Sequence, residues 1–105
     1  MEVRIKAHLC AFYQHVVPTY RIWVNDNLYT EREFWINPLE DMIVENIIVE
    51  IEPGEHTITL EKVRPRNREW VWIERLLIVA GNNNYDIGFE LKKQDKQVIP
   101  FKITE

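Results

Sequence analysis

The chain has 105 residues, 46% hydrophobic and 29% charged, with a formal net charge of −4. That is enough for a single domain with one core, and it excludes a disordered chain. Mild acidity argues against general nucleic-acid binding, which needs dense Lys and Arg. The single cysteine, Cys10, excludes an internal disulfide.

Taken in order, the chain reads as a series of strands. Val3, Ile5, Ala7, Leu9 and Ala11 alternate with Arg4, Lys6, His8 and Cys10, the period-2 pattern of a long half-buried strand. A loop from Phe12 to Thr19 carries Tyr13, Gln14 and His15. Tyr20, Ile22 and Val24 then share one face, with Arg21 and Trp23 on the other. Asn25-Asp26-Asn27 predicts a tight turn, because Asn and Asp tolerate positive φ. A return strand from Leu28 to about Ile36 should turn Phe34 and Ile36 inward and Trp35 outward.

Residues 37–41 are a turn signal. Met42 to Glu52 alternates again, with Ile43, Glu45, Ile47, Val49 and Ile51 as the better core face. Its β-branched density and the abrupt Pro53 argue against a helix. Pro53-Gly54 opens the next strand, in which Ile58 and Leu60 face one way and Thr57, Thr59 and Glu61 the other. A basic connector with Lys62, Arg64, Arg66 and Arg68 leads to the most apolar run, Trp70 to Ala80. There Val71 and Ile73 keep one parity, and Leu76, Ile78 and Ala80 keep the other. The phase slips at Glu74-Arg75, as a β-bulge requires. The strand is expected at a sheet centre, paired with its predecessor or with one nearby in space.

Gly81 to Asn84 predicts a turn. Tyr85, Ile87, Phe89 and Leu91 form a strand face, Lys92 to Gln97 a polar hairpin turn, and Val98 to Ile103 a closing strand that Pro100 marks as an edge. Seven or eight strands without a helix predict an all-β, antiparallel two-sheet sandwich or a closed barrel.

The stretch "PGEHTITLEKV", then a loop, then "VWIERLLIVA" resembles the end of a galactose-binding-like jelly roll, shared by many carbohydrate-binding modules. Gly54, His56, Ile58 and Leu60 fit the first strand. Val71, Ile73, Leu76 and Ile78 fit the second, with Glu74 where the family often has Asp. The "IWVNDNLY" hairpin resembles the family's "V-x-V-N-G" turn, and small virion proteins of tailed bacteriophages look similar. The resemblance implies a β-sandwich of jelly-roll type with a structural His56 and transfers no carbohydrate-site residue.

The candidate chemistry is sparse. The chain has no serine, so a serine nucleophile is excluded. Cys10 would need a nearby base, and His8 shares its face; a structural cysteine is the expectation. His8, His15 and His56 have no metal-ligand spacing. Most carboxylates fall on strand exteriors and turns, and a calcium site from Glu40, Asp41 or Asp86 lacks ligand density. No cofactor is expected.

The aromatics are the best binding candidates. Trp23 and Trp35 fall on the outward parity of adjacent strands, with Tyr13 and Tyr29 placed on loops nearby. They suit a sugar platform, a protein contact, or cover by a loop of the same chain. Arg64, Arg66 and Arg68 suit a phosphate or an acidic partner, or simple solvation.

The longest apolar run, Leu76 to Ala80, is too short to cross a bilayer. "MEVRIKAHLC" lacks a signal-peptide core, so synthesis in the cytoplasm is the expectation. The function expected is a non-catalytic structural or accessory protein of a phage-like virion, acting through protein partners or self-association. A glycan-binding module is the alternative.

Overall fold

Two inner faces of alternating Val, Ile and Leu meet in one core, because each pleated strand sends every second side chain to the same side. A computed structural model describes residues 1–36, 41–63 and 69–104. It contains eight strands: β1 (Glu2–Phe12), β2 (Thr19–Val24), β3 (Asn27–Glu33), β4 (Ile43–Glu50), β5 (Gly54–Lys62), β6 (Trp70–Ala80), β7 (Asn83–Gly88) and β8 (Lys96–Ile103). Every pairing is antiparallel. One sheet has the order β4-β1-β6-β7 and the other β3-β2-β5-β8. The protein is an all-β two-sheet sandwich.

Ile5, Leu9, Ile73, Leu76 and Ile78 from the first sheet are buried, as are Ile22, Ile58, Leu60 and Ile103 from the second. Each such side chain contributes about 1.5–3 kcal/mol relative to exposure. β3 stops at Glu33, short of the expected Ile36; beyond it Phe34 is buried and Trp35 is exposed.

The parity slip in β6 is a bulge. His8 pairs with Arg75 and Leu9 with Ile73, which leaves Glu74 as the extra residue. Its carbonyl accepts the Phe89 N–H at 2.8 Å. β6 is central, but its partners are β1 and β7, and β5 lies in the opposite sheet. The polar stretch before β8 is therefore no hairpin: β7 and β8 also belong to different sheets, and the chain crosses between layers there. Pro100 does mark an edge, since among the described residues β8 pairs only with β5.

A second bulge lies in β3. Ile22 faces Thr30 and Trp23 faces Leu28, so Tyr29 is the extra residue. The β2–β3 turn is closed by Asn25 in the left-handed region, φ 54°. Its side chain ties the turn to β5, accepting the Thr57 N–H at 3.1 Å and bonding His56 Nδ1 at 3.1 Å.

Among the described residues four polar or charged ones are buried, Glu45, Lys62, Glu69 and Gln97, and three of them tie strands together through their side chains. Glu45 on β4 takes the Tyr20 hydroxyl at 2.6 Å and the Arg32 guanidinium at 2.8 Å. Gln97 on β8 receives the Ile73 N–H at 2.9 Å and donates to the Ile73 carbonyl at 3.3 Å. That amide stands in for a missing strand, because β7 ends at Gly88, opposite Arg75. Lys62, the last residue of β5, places its ammonium 3.8 Å from the Trp70 ring centre and donates to the Glu69 carbonyl at 2.8 Å.

Candidate interaction surface

The strand directions fix two ends. β1–β2, β3–β4, β5–β6 and β7–β8 all connect at one end, each passing between sheets. The β2–β3 and β6–β7 turns lie at the other.

At the first end, two segments adjoin. The Phe34 N–H donates to the Pro18 carbonyl at 2.9 Å, and the Tyr13 hydroxyl donates to the Ile36 carbonyl at 3.2 Å. These bonds hold residues 12–18 against residues 34–36. Phe34 is buried beneath them and acts as the anchor. Its neighbour Trp35, past the end of β3, is 71% exposed. Phe12, Val16 and Val17 on the adjoining segment are also exposed. Gln14 and His15 add polar side chains to the same loop. Tyr13 is half-buried against the core and supports the loop from below.

Trp23 sits elsewhere. Thr19 pairs with Glu33 and Trp23 with Leu28, so Trp23 lies near the opposite end of the β2–β3 hairpin. At a strand's rise per residue, about 20 Å separates it from Trp35. The two tryptophans do not form one platform. Trp23 is half-buried, and its indole N–H donates to Glu61 Oε1 at 3.3 Å. Tyr29 is in β3 and not on a loop; the bulge brings it and Leu28 beside Trp23, where both are exposed. Next to them runs a cross-strand ion-pair row, Glu31–Arg21–Glu61–Lys96.

Arg64, Arg66, Arg68 and Glu40 lie outside the described residues. Lys62 departs from the basic loop expected of it, since its ammonium is buried against Trp70 and within 3.3 Å of Asp95.

Cys10, Asp86 and His56 have structural partners. The Cys10 thiol donates to Glu74 Oε2 at 3.1 Å, and burial, followed by that carboxylate, pushes its pKa up to about 12. A thiol so held is a poor nucleophile. Asp86 takes two hydrogen bonds from Arg75, at 2.8 and 2.6 Å, which hold its carboxyl below the ordinary range. Both ring nitrogens of His56 are engaged, one by Asn25 and the other by the Glu52 carbonyl at 2.6 Å. Among the described residues, no group of three His, Cys, Asp or Glu side chains could hold a metal ion.

The most specific surface signal is the solvent-exposed indole of Trp35. Parity in the sequence pointed to it, although β3 stops short of it. The loop residues Val16 and Val17 carried no periodic signal and were missed.

Comparison of the chain with protein-family models, with curated proteins and with solved structures finds no match to any of them.

Proposed function

We propose that the protein is a non-catalytic structural or accessory module that works through protein–protein contacts at its Trp35 end. The observation that carries this reading is the 71% exposure of Trp35, with Phe12, Val16 and Val17 exposed on the segment bonded to it. A large apolar group in water gains most when a partner covers it, and tryptophan is enriched among the residues that dominate interfaces. An apolar centre with Gln14 and His15 at its margin matches the ordinary anatomy of such contacts. The small size and the resemblance to small tailed-phage proteins suit a particle component used in many copies.

A glycan-binding module is the second reading, favoured by the same indole beside Gln14 and His15. Retention on the native partner, compared between wild type and Trp35→Ala, separates the two when run beside a glycan array. Protein contact predicts that Trp35→Ala loses the partner and that neither form binds glycans. Glycan retention that depends on Trp35 would replace the first reading with the second.

A further inference from the structure

Each sheet ends in two edge strands, and three of the four carry a device that discourages pairing. β8 has Pro100, which lacks an N–H, flanked by Lys96 and Lys102. β3 is bulged at Tyr29 and carries Glu31-Arg32-Glu33. β7 is only six residues long.

β4 differs. It is an eight-residue edge, IVENIIVE, with no Pro, Lys, Arg or bulge, and it pairs with β1 without a register shift. Its outward side chains include Val44, 41% exposed, and Ile48, 63% exposed. Its inward charge, Glu45, is only 5% exposed and is already held by Tyr20 and Arg32, so it does not guard the edge.

We propose that β4 pairs antiparallel with β4 of a second copy, joining two four-stranded sheets into one of eight strands. The strand's own sequence selects the register. Residues opposite one another in antiparallel strands point to the same face, so a two-fold axis must pass through a residue position. With the axis at Asn46, Val44 meets the partner's Ile48 on the outer face, and Ile48 meets the partner's Val44. Asn46 meets its own copy, Glu45 faces the partner's Ile47, and Ile43 faces the partner's Val49. No like charges oppose. Centring on Glu45 sets two carboxylates against each other. Centring on Ile47 places Val44 against the partner's Glu50. Of these three, only the Asn46 register sets the exposed Val44 against the exposed Ile48, and it uses residues 43–49 in full. The occupant is therefore a second copy of this chain, because β4 is complementary to itself about that point. This surface is distinct from the Trp35 end, so the two proposals fail independently.

The test is the solution mass of wild type and Ile48→Lys, with a cysteine cross-link across the axis. Wild type is expected at twice the 12.7 kDa chain mass. Ile48→Lys, which changes an exposed position, is expected to keep its β-sheet circular dichroism and run as a monomer. Asn46→Cys in a Cys10→Ala background is expected to form an intermolecular disulfide on mild oxidation, because directly opposed Cα atoms lie within disulfide reach. Val44→Cys in that background is expected to form none. A wild type that stays monomeric at millimolar concentration overturns the proposal. So does a dimer that survives Ile48→Lys, or one in which position 46 does not cross-link.

Discussion

The Tyr20 hydroxyl lies 2.6 Å from Glu45 Oε1, and this bond joins β2 of one sheet to β4 of the other within the buried interior. Arg32 shares the carboxylate from β3, at 2.8 Å. Removing the hydroxyl with Tyr20→Phe withdraws a donor from a buried charge and should cost about 1–3 kcal/mol. In a Glu45→Leu background the same change should cost less, because no carboxylate is left unsatisfied. Urea denaturation of the four proteins in that cycle measures the coupling.

Alkaline stability follows from the same pair. Burial, then the hydrogen bond and charge of Glu45, raises the Tyr20 pKa well above its ordinary value of 10.0. Below that value the hydroxyl is protonated in both folded and unfolded chains, and its contribution is whole. Above it the unfolded tyrosine ionises while the folded one does not, so stability falls as pH rises. Tyr20→Phe should flatten that decline in denaturation midpoints measured from pH 9 to 11.

Cys10 should react slowly with thiol reagents at pH 8, because its pKa is about 12 and the thiolate is the reactive form. Glu74→Gln removes the charge that opposes ionisation and should raise the rate. An unchanged rate would mean that burial alone controls the thiol.

Asn25 combines a left-handed backbone with side-chain bonds to Thr57 and His56. Asn25→Gly keeps the backbone and loses the bonds, so it should cost about 1 kcal/mol. Asn25→Ala adds the left-handed penalty and should cost about 2–3 kcal/mol in all. Thermal melts of the two variants would order them.

Gln97→Leu should strip the Ile73 N–H and carbonyl of their partner and cost about 1–3 kcal/mol. Hydrogen exchange at Ile73 should speed up more than at Ile78, which keeps strands on both sides.

The layers and the Glu74 bulge were legible because alternation is local: Val71 and Ile73 on one parity and Leu76 and Ile78 on the other leave one residue over. The Tyr29 bulge was not, since β3 is exposed along most of its length and has no apolar parity to slip. Partners of β6 were hidden for a different reason. Pleating says which face a residue takes, while strand neighbours are chosen by contacts far apart in the chain, such as Leu9 with Ile73. The candidate site divided along the same line. Trp35 was correctly turned outward, but its distance from Trp23 depends on register. Lys62 read as part of a basic run, yet it keeps the inward parity of Ile58 and Leu60.

Protein contact through Trp35 is tested most directly by placing a photo-crosslinking phenylalanine analogue at position 35 and irradiating the protein in its native setting. The expected result is one discrete protein adduct, absent when the analogue replaces Thr59, which pairs with Trp23 away from the Trp35 end. No adduct at position 35, with an adduct at Thr59 instead, would contradict it.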